Sequence, residues 1–144
     1  MSGEITIPEG VIPVVAAVTQ RDGRFLVACR EATSRHGGLW EFPGGKLLRG
    51  EGVVEGLARE LDEELAVTVE RVGELRFRTR DPGSLYLIFF FDVWIRGEPR
   101  ALEHQALAWH SPSELRNLPL APSDARFVNE VLPASGPISP PRPE

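Results

Sequence analysis

The sequence predicts an α/β domain, strands alternating with a few helices, and its 144 residues fit one such domain. Two hairpin signals and one amphipathic helical stripe carry that reading. Asp22-Gly23 separates the apolar runs Ile12–Thr19 and Phe25–Arg30, and Asp-Gly supplies the positive-φ pair of a tight hairpin turn. Asp81-Pro82-Gly83-Ser84 separates Val67–Arg80 from Leu85–Ile95. Between these, Val54, Leu57, Ala58, Leu61 and Leu65 recur at helical spacing, which predicts a helix over Val53–Leu65 laid on a sheet.

In chain order, residues 1–10 are polar, carry Pro8 and are expected to be a flexible lead. The first hairpin follows. In the first arm of the second hairpin, Leu75, Phe77 and Thr79 alternate with Arg76, Arg78 and Arg80, the period-two pattern of a half-exposed strand. The second arm is apolar throughout and is expected at the sheet centre. A short strand is expected around Gln105–Trp109. Ser111-Pro112-Ser113-Glu114 reads as a cap, a first-turn proline and a brief helix. Phe127, Val128, Val131 and Leu132 place a packing helix over Ser123–Leu132. Five prolines from Pro133 to Glu144 predict an extended, poorly ordered tail, leaving 11–132 as the folded domain.

Composition limits the partners. A net charge of −5 repels phosphate backbones, which argues against sequence-independent binding to nucleic acid. A small phosphorylated ligand stays compatible where positive charge is supplied locally. Cys29 is the single cysteine, so no internal disulfide forms, and its apolar run reads as a buried strand. The three histidines are scattered and show no zinc spacing. The start lacks a secretory signal pattern, and no apolar run approaches the roughly 20 residues of a membrane span. A cytoplasmic protein without membrane partners is expected.

Glu60, Glu63 and Glu64 cluster beside the apolar stripe of Val53–Leu65. Like charges at this spacing repel by a few tenths of a kcal/mol per pair. Either the cluster is a solvated acidic face, or a divalent cation reverses the repulsion, since hard cations prefer oxygen ligands.

The frame around these carboxylates separates the two readings. Gly45, five residues, Glu51, seven residues, then Arg59-Glu60-Leu61-Asp62-Glu63-Glu64-Leu65-Ala66-Val67 resembles the Nudix box, matching six of its seven fixed polar or glycine positions. Ala66 stands where the family has Gly, just past the helix end, where a left-handed backbone favours glycine. Leu39-Trp40-Glu41-Phe42-Pro43-Gly44-Gly45-Lys46, Gly97-Glu98-Pro99, Glu103-His104-Gln105, Trp109 and Pro122-Ser123-Asp124 are similar to the MutT-type branch, which hydrolyses nucleoside triphosphates. The resemblance covers roughly Val11 to Leu132. It implies the Nudix fold, an α/β/α sandwich around a mixed β-sheet.

The resemblance also implies roles. Mg²⁺, or Mn²⁺, would sit on Glu60, Glu63, Glu64, Glu103 and the Gly44 carbonyl, neutralising a polyphosphate that an acidic protein would otherwise repel. Gly45 keeps the loop free of a side chain there. Arg59 would orient the carboxylates through its rigid fork, and Glu51 would support the entry into the helix. Glu63, Glu60 and Glu103 are the candidates for taking the proton of the attacking water. Arg30, Phe42 and Asp124 match positions near the nucleobase. Phe42 equally fits a core aromatic, and Asp124 equally fits a helix cap.

The activity so implied is cleavage of a nucleoside triphosphate to monophosphate and pyrophosphate, with a small nucleotide as partner and a monomer or homodimer as the working unit. Two alternatives stand beside it. Pro82 falls where ADP-ribose hydrolases carry proline, which would extend the substrates to ADP-ribose, nucleotide sugars or dinucleoside polyphosphates; Asp81-Pro82-Gly83 is equally an ordinary turn. A non-catalytic binding module of the same fold usually loses box carboxylates, and this chain keeps them all.

Overall fold

The computed structural model describes residues 5–132, so the proline-rich tail expected at 133–144 lies outside the described residues. The elements are β1 (Ile12–Val18), β2 (Gln20–Arg21), β3 (Arg24–Cys29), β4 (Trp40–Glu41), β5 (Gly44–Lys46), α1 (Val53–Leu65), β6 (Thr68–Arg80), β7 (Tyr86–Arg96), β8 (Ala106–His110), α2 (Pro112–Arg116) and α3 (Pro122–Val131). One sheet has the order β5-β1-β7-β6, with β1 parallel to β7 and the outer pairs antiparallel, so it is mixed. In a second sheet, β3 pairs antiparallel with β8 and, at its two ends, with β2 and β4.

The apolar runs of β1 and of Leu87–Phe91 in β7 follow from burial on both faces. Val15, Ala17, Phe89 and Phe91 join Leu57, Leu61 and Leu65 of α1 in one core. Ala16, Val18 and Phe90 join Phe42, Phe127 and Val128 in the other, on the α3 side. Phe90 and Phe127 stack with centroids 4.8 Å apart, and Phe42 meets Phe127 edge-on at 5.3 Å. The architecture is therefore α/β, with helices on both faces of the mixed sheet. Ser111 caps α2 through the Glu114 backbone N–H, while Glu114 returns a carboxylate to the Ser111 N–H at 2.8 Å.

Four expectations are corrected. The Asp22-Gly23 turn, with φ of 54° and 77°, closes only the short β2–β3 ladder; β1 leaves it and enters the other sheet. Leu75 is 42% exposed because irregularities on both sides of it shift the β6 register. The buried face of α1 is Val53, Gly56, Leu57, Leu61, Glu64 and Leu65, with Val54 45% exposed and Ala58 only half-buried. Gly56 lets the helix close against Leu47, which turns the stripe toward Val53 and carries Glu64 into the buried set. Cys29, at the end of β3, is half-buried rather than core.

Candidate active site

The loop from β5 into α1 is built around Arg59. Its Nε and Nη2 donate to the two oxygens of Glu51 at 2.7 and 2.9 Å, and Nη2 also donates to the Lys46 carbonyl at 3.1 Å. Nη1 reaches Glu60 at 3.1 Å and Glu63 at 3.4 Å. One rigid fork thus ties the loop to the helix and holds two further carboxylates. The Arg59 hydrogen bonds, with the Leu48 backbone N–H, hold the Glu51 carboxyl down at about 2. Glu51 in turn holds the Arg59 guanidinium still more firmly charged.

Glycine is required twice beside this fork. A Cβ on Gly45 would fall 2.4 Å from the Glu60 carboxylate carbon, so Glu60 occupies the space a side chain would take. Gly44 has φ 155°, and a Cβ there would lie 1.9 Å from the Val15 carbonyl oxygen on the paired strand.

Glu64 is 6% exposed, and its Oε1 has no hydrogen-bond partner. Burial, then the neighbouring Glu60, push its carboxyl up to about 10. Glu63 is the open member of the group, its side chain half exposed. The loop carrying Glu103 is tied to the end of α1 by Leu102 N–H to the Glu64 carbonyl at 3.0 Å and Arg100 N–H to that of Leu65 at 2.9 Å. The Glu103 charge adds to the pressure on Glu64. Among the described residues no three acidic or histidine side chains converge on one point as they stand. The donor set still fits a hard cation: it is all oxygen, it strains against its own charge, and it includes a buried carboxylate oxygen with nothing to bind.

A cleft of about 300 Å³ opens on the other side of Gly44 and Gly45. Val14, Ala16 and Ile88, from the sheet face opposite α1, line it, and Phe42 and Asp124 lie against it. Asp124 accepts the Phe42 backbone N–H at 2.9 Å. Burial, then the Glu41 charge, raise its carboxyl well above the usual range, which favours the neutral acid. The N-cap of α3 is Ala121, so neither Ser123 nor Asp124 caps it. Phe42 borders the cleft but is 3% exposed, and its ring belongs to the aromatic core. Arg30 lines the cleft while donating to Glu41 at 2.9 Å and to the Arg35 carbonyl at 2.5 Å.

Several cleft residues are not marked as site residues by the sequence. Glu41 is held on its second oxygen by His104 at 2.9 Å, and its charge bears on both Glu64 and Asp124. It sits inside the Trp40-Glu41-Phe42 lead-in, which was the available signal. Lys46 and Arg35 lie 5.3 and 5.8 Å from the Tyr86 ring, and Asp81 is buried behind them. Nothing in the pattern of the Asp81–Ser84 turn marks Asp81 as more than a turn residue.

The described chain carries no helix long and apolar enough to cross a membrane. Residues 11–131 match the family model described as NUDIX domain. The chain is 43% identical over 127 residues to the CTP pyrophosphohydrolase of Escherichia coli K12, covering 85% of this chain and 92% of that one. It is 36% identical over 124 residues to the putative 8-oxo-dGTP diphosphatase 2 of Mycobacterium tuberculosis H37Rv, covering 82% and 86%. A MutT NUDIX hydrolase crystal structure from Burkholderia pseudomallei superposes with a TM-score of 0.74 at 30% identity, covering 85% and 99%. The solution structure of the E. coli ORF135 protein gives 0.71 at 41%, covering 83% and 86%. With its box carboxylates on α1 and a cleft across the glycine pair, the chain belongs to the Nudix hydrolase family, in its MutT-type branch.

Proposed function

We propose that this chain hydrolyses a nucleoside triphosphate to the monophosphate and pyrophosphate, in the manner of an enzyme that clears unwanted nucleotides from the pool. The observation that carries the proposal is the shared border of the two features above: Gly44 and Gly45 both line the cleft, and Gly45 lies directly against the Glu60 carboxylate at the edge of α1. A nucleoside in the cleft would extend its phosphates toward that edge. The names of the two relatives, one acting on CTP and one on 8-oxo-dGTP, support a nucleotide substrate.

Family members generally use a divalent metal. Here Glu60, Glu63, Glu64 and Glu103, with the Gly44 carbonyl, would hold Mg²⁺ or Mn²⁺. Bound there, the cation would neutralise polyphosphate charge and polarise a phosphorus–oxygen bond. Arg59 keeps Glu60 and Glu63 oriented through one guanidinium. Glu63 is taken as the acceptor for the proton of the attacking water: it is the exposed carboxylate of the α1 cluster, and the hydrogen bond it makes is the long 3.4 Å one from Arg59. Water's oxygen forms the new bond to phosphorus, its proton passes to Glu63, and the bond to the pyrophosphate oxygen breaks. At the other end, a neutral Asp124 can donate its O–H to a base acceptor while its Oδ1 takes the Phe42 N–H. Lys46 and Arg35 supply the local positive charge that a chain of net −5 must provide for an anionic ligand.

The test is pyrophosphate release across a nucleotide panel that includes cytidine triphosphates and oxidised purine triphosphates, with and without Mg²⁺. The expected result is Mg²⁺-dependent turnover of at least one triphosphate, reduced on the order of 10²- to 10⁴-fold in Glu63→Gln. Turnover confined to ADP-ribose or nucleotide sugars, or no release from any triphosphate, would refute the proposal.

A further inference from the structure

Asp81 has no part in the chemistry above, yet it is a buried carboxylate, 3% exposed, at the turn between β6 and β7. Three side chains from two other segments meet it. The Ser123 hydroxyl donates to Oδ1 at 2.7 Å. Arg35 donates to Oδ2 through Nη2 at 2.8 Å and Nε at 3.3 Å, and His36 Nε2 lies 3.1 Å from the same oxygen. Arg35 also donates to the Pro82 carbonyl at 3.2 Å. A buried charge is costly unless it is fully partnered, and the turn itself does not need one. The Asp81 backbone already closes it, through the Asp81 N–H to Tyr86 and the Ser84 N–H to Asp81.

What the knot does hold is the connection between β3 and β4. That segment carries Arg35 and His36, the latter at φ 58°, and both line the cleft together with Asp81. Pinned there, the Arg35 guanidinium sits 5.8 Å from the Tyr86 ring centre, and the Lys46 ammonium sits 5.3 Å from the same ring. Two cations thus stand against one ring on this wall of the cleft. Arg35 keeps 43% of its side chain exposed, and its Nη1 has no protein partner among the described residues.

We propose that Arg35 is a substrate-binding residue for the anionic, phosphate-bearing part of the nucleotide, and that Asp81 is the positioning residue that fixes it. The proposal rests on the reading of the cleft as the nucleotide site. Because Asp81 acts through Arg35, loss of either should weaken binding in the ground and transition states alike, raising KM while leaving kcat nearly intact.

The test is steady-state kinetics on the best triphosphate for the parent, Arg35→Gln, Arg35→Lys, Asp81→Asn and the Arg35→Gln/Asp81→Asn double variant. Expected are a rise in KM of about tenfold in Arg35→Gln and in Asp81→Asn, with kcat within about threefold of the parent. Arg35→Lys should recover part of that KM. The double variant should be no worse than about twofold beyond either single one, the non-additivity of residues acting as a unit. An unchanged KM in Arg35→Gln, a fall in kcat at constant KM, or KM effects that multiply in the double variant would overturn the proposal while leaving the nucleotide reading in place. A parent that turns over no nucleotide would remove both. Should Asp81→Asn not fold, the comparison of Arg35→Gln with Arg35→Lys decides the role of Arg35, and Ser123→Ala, which cuts only one contact of Asp81, decides that of Asp81 by whether KM rises.

Discussion

Ala66→Gly should stabilise this protein. Ala66 follows α1 with φ 59° and ψ 39°, the left-handed conformation, and its N–H closes the helix on the Asp62 carbonyl at 3.1 Å. A non-glycine residue there bears a strain of roughly 1–2 kcal/mol. Glycine removes that strain but adds roughly 0.4–1 kcal/mol of conformational freedom to the unfolded chain. The midpoints of the two ranges leave a gain of about 0.8 kcal/mol. Ala66 is exposed, so its methyl group takes no core packing with it when removed. For a domain of this size that gain raises the melting temperature by about 2–4 °C, readable by thermal or urea unfolding monitored by circular dichroism. Catalytic rate should be unchanged, since no site contact passes through the Ala66 side chain. A melting temperature equal to or below that of the parent would show that the left-handed turn carries no such strain.

Glu51 and Asp124 should give opposite pH signatures. The folded Glu51 carboxyl, held at about 2 against an ordinary 4.5, stabilises the fold above pH 4.5 and loses that contribution as pH falls toward 2. The stability advantage of the parent over Glu51→Gln should therefore shrink over that window in urea titrations; a constant difference would count against the Arg59–Glu51 fork as its origin. The folded Asp124 carboxyl is raised above its ordinary 3.8, so its contribution is lost as pH climbs from there through the folded value. Asp124→Asn, which keeps an oxygen acceptor for the Phe42 N–H, should flatten that decline in melting scans from pH 5 to 9, and a variant losing stability at neutral pH would contradict a neutral Asp124. Phe127→Ala, in the fully buried aromatic stack under the cleft, should cost about 3–5 kcal/mol by denaturant unfolding; a cost below about 1 kcal/mol would mean that the cluster does not hold α3 against the sheet.

Where local chemistry decides structure, the sequence was a good guide. Val53–Leu65 is helical over the predicted bounds because its apolar spacing and its carboxylate cluster are both properties of one turn-by-turn repeat. Ser111 and Glu114 form their reciprocal cap within four residues. Pairing across distance was not legible. Asp22-Gly23 specifies a turn but not which strand continues beyond it, and β1 found β7 and β5 instead. The strands β4 and β5, of two and three residues, are too short for any period to appear. The same limit applies to the site. The carboxylates of α1 announce themselves by spacing, and Glu103 only through the resemblance. Asp81 draws its partners from positions 35, 36 and 123, and His104 meets Glu41 from 63 positions away, contacts that only the folded chain makes.

On the proposed mechanism the acidic edge of α1 is a cation seat rather than a solvated face. Titration of the full chain with Mn²⁺, followed by electron paramagnetic resonance of the free ion, tests it without substrate or turnover. The parent should remove Mn²⁺ from solution in a saturable way that Mg²⁺ competes away, and Glu60→Gln and Glu64→Gln should each weaken that binding by tenfold or more. Binding of equal strength in the parent and both variants, or no saturable binding at all, would make that edge a solvated face instead.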